Sequence, residues 1–219
     1  MDEKFTTIEN IRSGFLKENT ALTLTDYGAG SLSQPANVRT ISQIAHSSLS
    51  QKQFSALYAR IIRHFSFKHI IELGTSLGIN TLYMASVPDT RVSTFEGDPH
   101  LVNRAEVLFE SLGTKINIIA GNIDKTLSPF LQRSPKIDLA FMDANHRYVP
   151  TTLYAKELIS RMHEQSVLIL DDIHHSPEMQ KAWNEIQQHR LVYGSMDLFR
   201  CGLLFFNPSL NKQHVVLQF

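Results

Sequence analysis

Cysteine is nearly missing from these 219 residues: Cys201 stands alone, which excludes an internal disulfide and paired-thiol redox chemistry. An excess of charge is missing too. Lys and Arg total 21 against 21 Asp and Glu, so the basic footprint of a nucleic-acid binder is not there. No apolar run approaches the roughly 20 residues of a membrane span. The opening MDEKFTTIENIRSG has no apolar stretch behind a basic one, as a signal peptide would. A cytoplasmic protein with neither nucleic-acid nor membrane partners is the resulting expectation. What is present is an ordinary globular composition, 42% hydrophobic and 19% charged, at a length suited to one large domain.

From about Phe67 the chain alternates short β-branched runs with amphipathic ones, the pattern of βαβ units on a parallel sheet. KHIIEL, RVSTFE, KINIIAG, KIDLAFMD and QSVLILDD read as strands; PHLVNRAEVLFESLG and PTTLYAKELISRMHE read as helices between them. A further helix is expected after Ser176, where a hydroxyl cap, a first-turn proline and an acid follow one another. Beyond it LVYGSMDLF, CGLLFFN and HVVLQF follow without helices, which predicts an antiparallel C-terminal edge. Upstream, Ser50 to Gln53 fits a capping box ahead of Phe54, Leu57, Tyr58, Ile61, Ile62 and Phe65 at helical spacing. TTIENIRSGFLKEN suggests another helix. The reading is a single domain, with residues 1–66 as an N-terminal helical cap and 67–219 as an α/β core.

Two glycine-bearing stretches look alike, TDYGAGSLS at Thr25–Ser33 and ELGTSLGIN at Glu72–Asn80. A nucleotide-type cofactor needs a loop after a buried strand, opening a helix whose free N–H groups meet negative charge. The second stretch has a strand before it, a helix after it, and a next strand ending in Glu96, about 20 residues on, where a carboxylate takes ribose hydroxyls. The first stretch runs into Pro35 with neither. GTSLG also satisfies G-x-S-x-G, with Ser76 as a would-be hydrolase nucleophile and Asp171 and His174 as its partners. Against this, those two partners lie too close in sequence for separate loops, and no HGGG-type oxyanion segment exists. A nicotinamide-type G-x-G-x-x-G fails because Ser76 and Ile79 replace its later glycines.

IIELGTSLGINTLYMA, VSTFEGDP, IIAGNID, IDLAFMDANHRY and VLILDDIHHS stand in an order and spacing that resemble class I S-adenosylmethionine-dependent methyltransferases, most of all the catechol and caffeoyl-CoA O-methyltransferase branch. The resemblance spans about Phe54 to Trp183. It implies a doubly wound, mostly parallel seven-stranded sheet of the Rossmann-like methyltransferase type. It also implies a cofactor site at Gly74, Thr75, Ser76, Gly78, Glu96 and Gly97, with Glu72 facing the amino group and Asn122 and Asp124 flanking the adenine. A branched side chain in place of Gly78 would then stand in the cofactor's path.

At the catalytic end the resemblance implies a divalent cation, such as Mg²⁺, on Asp143, Asp171 and Asp172, the last replacing the asparagine of that branch. The bland alternative is that Asp171 and Asp172 only cap the following helix. His146 stands where relatives carry a catalytic lysine, and with an ordinary pKa near 6.5 an imidazole takes a proton at neutral pH. Asp143 and His146 are therefore the expected catalytic pair. His174, His175 and Arg147 are open between acceptor contacts and plain surface groups. TDYGAGSLS falls where the resembled enzymes fold a segment over the cofactor, so Tyr27 and Gly28 are read as part of a lid rather than of a second cofactor loop, the alternative being a surface turn. The expected activity is O-methylation of a small-molecule acceptor, with a homodimer left open. A non-catalytic cofactor-binding protein on the same fold is the alternative.

Overall fold

The structure is a computed structural model, and it describes residues 3–25 and 38–218. In chain order the elements are α1 (Glu3–Phe15), β1 (Ala21–Thr23), β2 (Val38–Thr40), α2 (Ile41–Ser48), α3 (Lys52–Phe65), β3 (His69–Leu73), α4 (Ile79–Ala85), β4 (Arg91–Glu96), α5 (Pro99–Ser111), β5 (Ile116–Ala120), α6 (Ile123–Arg133), β6 (Ile137–Met142), α7 (Tyr148–Arg161), β7 (Met162–Asp171), α8 (Pro177–Gln187), β8 (Gly194–Asp197), β9 (Cys201–Phe205) and β10 (Gln213–Val216). They gather into two compact units, Met1–Lys68 with Gly74–Asn122, and His69–Leu73 with Ile123–Phe219. The main sheet is mostly parallel and has eight strands, not seven. HVVLQF, expected within the antiparallel edge, forms β10 and pairs in parallel with β8.

In the first unit β4 and β5 pair in parallel, Val92 opposite Ile116 and Glu96 opposite Ala120. Phe95, Leu77, Tyr58, Ile62 and Tyr83 are fully or almost fully buried there. Helix α3 begins at Lys52 with Gln51 as its cap and no side-chain capping bond, so the box expected at Ser50–Gln53 does not form. Ser50 instead accepts a hydrogen bond from Asn80 Nδ2 at 2.9 Å. The capping box of this region is at Thr40 and Gln43, opening α2. Ahead of it β1 and β2 pair antiparallel, Ala21 opposite Thr40.

In the second unit β3, β6 and β7 run parallel, and β9 is antiparallel to both β7 and β8, so the expected antiparallel edge is present. Ile70, Ile71, Leu139, Ala140, Leu168 and Ile169 are inaccessible to solvent, as continuous apolar strands covered on both faces should be. Ser176 caps α8, its hydroxyl accepting from Met179 N, with Pro177 in the first turn as the sequence predicts. Gly202 of β9 is a consequence of packing: a Cβ there would lie 2.4 Å from the ring of the buried Trp183 of α8. Among the described residues no helix is long and apolar enough to cross a membrane.

Candidate active site

In the first unit the glycine turn is fastened to the end of β4. The N–H groups of Gly74 and Thr75 both donate to Phe95 C=O, at 3.0 and 3.1 Å. Glu96 then accepts from Ser76 N through Oε2 at 2.8 Å and from Asp98 N through Oε1 at 2.9 Å. Burial raises the pKa of this carboxylate, and the backbone N–H groups oppose that rise. Each oxygen still has a lone pair for a further donor, so the carboxylate suits the ribose hydroxyls of the expected cofactor. Gly97 lines a cleft of about 440 Å³ beside the ends of β4 and β5, together with Val102, Asn103, Glu106, Ala120 and Gly121.

Gly78 has a reason of its own. It adopts φ +79°, and a Cβ would lie 2.8 Å from two ring carbons of Phe109 on α5. Packing against Phe109 therefore already demands glycine at 78, and Gly78→Val would disturb the fold as well as any cofactor. Thr75 is committed to Thr94, hydroxyl to hydroxyl at 2.6 Å. Asp98, which the sequence reading passed over, caps α5 and also accepts from Thr25 N at 2.6 Å.

In the second unit strand register assembles the carboxylates. Leu73 of β3 stands level with Met142 of β6, and Met142 with Leu170 of β7. The residues that follow, Asp143 and Asp171, thus leave adjacent strands at one height. Asp143 N donates to Leu73 C=O at 2.9 Å, fixing that level. Antiparallel pairing then sets Cys201 opposite Asp171, which delivers Arg200 to the same end of the sheet.

The five acidic and basic groups separate into two sets. Asp143, His146 and Asp172 bring one ligand atom each to within 4.8 Å of one another, and His146 Nε2 lies 3.4 Å from Asp143 Oδ1. Asp171 is fully buried and belongs to Arg200, whose Nη2 and Nε donate to Oδ2 at 2.8 and 3.3 Å. Arg200 Nη2 also lies 3.6 Å from Asp172 Oδ1. Burial, then the charges of Asp171 and Asp172, push the pKa of Asp143 well up, and the buried Glu72 adds to this. Burial pushes the His146 imidazole down, so it stays neutral more readily, while His146 Nδ1 is buried without a hydrogen-bond partner among the described residues.

Backbone strain concentrates here. Asn145, His146, Asp172 and Phe199 all adopt left-handed φ of +46° to +69°, as does Ser76 in the first unit at +48°. Non-glycine residues hold that conformation only where their surroundings enforce it.

The ligand trio expected for a cation is therefore not what gathers: Asp171 is engaged by Arg200, and His146 stands in the cluster instead. Neither aspartate caps α8, since Ser176 does. His174 Nε2 pairs with Asp197 Oδ2 at 2.8 Å, so the Asp171–His174 pair that the hydrolase alternative needs is not formed. Ser76 Oγ meets Ser48 Oγ at 2.9 Å. His175 packs its ring 5.9 Å from that of His146, and Arg147 is exposed. Asp124 accepts from the Tyr154 hydroxyl in the second unit, while Asn122 ends the first. Tyr27, Gly28 and the rest of TDYGAGSLS after Thr25 lie outside the described residues. Arg200 and Tyr154 were missed because only pairing of distant strands and helices brings them in.

Residues 71–173 match a family model described as a methyltransferase domain. No curated protein matches the sequence. Among solved structures, the S-adenosylhomocysteine-bound methyltransferase PaMTH1 of Podospora anserina is similar with a TM-score of 0.69 at 12% identity, covering 94% of this chain and 89% of that one. The O-methyltransferase TomG of Streptomyces achromogenes, solved with S-adenosylmethionine, gives 0.67 at 15%, covering 94% and 91%. The O-methyltransferase of Bacillus cereus, solved with S-adenosylhomocysteine, gives 0.66 at 13%, again covering 94% and 91%. At such identities these likenesses establish the fold. The chain therefore has the Rossmann-like methyltransferase fold.

Proposed function

We propose that this protein is a class I S-adenosylmethionine-dependent methyltransferase that acts on a hydroxyl oxygen of a small-molecule acceptor, with His146 as general base, and that the chain forms one methyltransferase domain. The observation that supports an oxygen acceptor is the desolvated imidazole of His146, with Nδ1 unpartnered among the described residues and Nε2 facing Asp143. A hydroxyl must lose its proton as it becomes a nucleophile, and a base kept neutral by burial is suited to take it. His146 Nδ1 receives that proton, and Asp143 steadies the imidazolium through Nε2. Burial moves the two affinities for a proton toward each other, downward for His146 and upward for Asp143.

When bound, S-adenosylmethionine supplies an electrophilic methyl group on a sulfonium. Glu96 would accept the ribose hydroxyls, Gly74, Thr75 and Ser76 would lie along the amino-acid part, and Gly97 would border the adenosine. Glu72, Asn122 and Asp124 retain the roles the resemblance implies for them. The divalent cation implied at Asp143, Asp171 and Asp172 does not fit this donor set, because the Asp171 carboxylate is already held by a guanidinium.

The test is product mass after incubation with S-adenosylmethionine and a panel of phenols and other acidic hydroxyl compounds. A gain of one methyl group on oxygen is expected, and His146→Gln should lower kcat by roughly 10²-fold or more. Product on nitrogen or carbon, or full activity in His146→Gln, would overturn the reading. S-adenosylhomocysteine binding without turnover on any acceptor would favour a non-catalytic cofactor-binding protein.

A further inference from the structure

We propose that Arg200 is the resident cation of the carboxylate cluster, balancing Asp171 and Asp172 and keeping a divalent ion out. Its backbone is fixed first: Arg200 N donates to Leu198 C=O at 2.8 Å, and Arg200 C=O accepts from Ile173 N at 3.3 Å. The guanidinium can then reach the acids without a search. Two of its N–H groups end on a single oxygen of the fully buried Asp171, and one of these groups lies 3.6 Å from Asp172. Only 28% of the Arg200 side chain is exposed, so solvent screens the arrangement little. The charge of Arg200 also reaches Asp143, the third carboxylate, and holds that group's rise in check.

A guanidinium suits this duty because it stays charged at any working pH and grips a carboxylate with a planar fork. A dication held by Asp143, His146 and Asp172 would stand beside a like charge, the guanidinium that lies 3.6 Å from Asp172, and the two would repel. Arg200 is thus a positioning residue: it orders Asp171 and Asp172, and it leaves the Asp143–His146 pair to handle the acceptor's proton.

The inference rests on the methyltransferase reading for the meaning of this site, but its test does not depend on turnover. Mn²⁺ binding to the full-length protein is followed by electron paramagnetic resonance and by calorimetry. Wild type should retain no stoichiometric Mn²⁺ at millimolar concentration, and Arg200→Met should bind one ion at least tenfold more tightly. Adding Asp171→Asn to that variant should abolish the gain. If Arg200→Met fails to fold by circular dichroism, Arg200→Gln, which keeps a donor for Asp171, takes its place. Stoichiometric Mn²⁺ on wild type, lost in Asp172→Asn, would overturn the proposal. So would a folded Arg200 variant that binds Mn²⁺ no better than wild type.

Discussion

Asp171 and Asp172 are neighbours in the chain with separate duties: Asp171 is sealed in the interior against Arg200, while Asp172 turns through φ +54° toward Asp143 and His146. That crowding costs stability at neutral pH. Asp143 has its pKa raised in the folded state by burial and by its acidic neighbours, so the folded protein holds this proton more tightly than the unfolded chain does. Its contribution is therefore favourable at low pH and is lost as pH rises from about 4, the unfolded value, through the raised folded value. Asp143→Asn removes the term. Denaturant unfolding should show the variant gaining on wild type steadily as pH increases from about 4 to 7, and a difference independent of pH would contradict this. Asp171 follows the same sign with a pKa pushed up to about 6, its rise limited by Arg200. Asp143 and His146 were singled out by the resemblance to known methyltransferases. Arg200, at a turn 54 residues from His146 in sequence, carried no such signal.

At the scale of elements, caps and apolar periods were readable because they depend on a few adjacent residues. Ser176 and Pro177 start α8 as their chemistry dictates. Ser50 shows the limit of such reading, since its partner is Asn80, thirty positions away, rather than the helix it precedes. Gly202 is a second case. Nothing in CGLLFFN distinguishes its glycine from a flexible one, yet the Trp183 ring lies where a side chain would begin. Gly202→Ala forces that buried ring to move, and overpacking of this kind destabilises by about 1–3 kcal/mol. Chemical denaturation should record a loss in that range, and an unchanged midpoint would mean that the contact between α8 and β9 yields without strain.

For the molecule as a whole, a ligand that binds only the folded chain stabilises all of it by mass action. S-adenosylhomocysteine at 100 times its Kd should add about 2.7 kcal/mol. For a chain of this length that corresponds to a rise in Tm of about 5–10 °C, read by thermal unfolding. Glu96→Gln, which loses the charge proposed to accept the ribose hydroxyls, should show a clearly smaller rise at the same ligand concentration. Equal shifts in variant and wild type would remove Glu96 from the cofactor site.

The sequence by itself determined the βαβ alternation, the antiparallel C-terminal edge, the glycine turn with Glu96 after it, and the acids at the strand ends, because each is written in local periodicity or in spacing along one strand and its loop. Tertiary structure alone decided that β10 runs parallel to β8, that Phe109 requires the glycine at 78, and that Arg200 balances the charge of Asp171. The physical reason is register. Which residue of β9 lies opposite Asp171 is fixed by hydrogen bonds between strands about thirty positions apart, and a shift of one residue would turn every side chain to the other face.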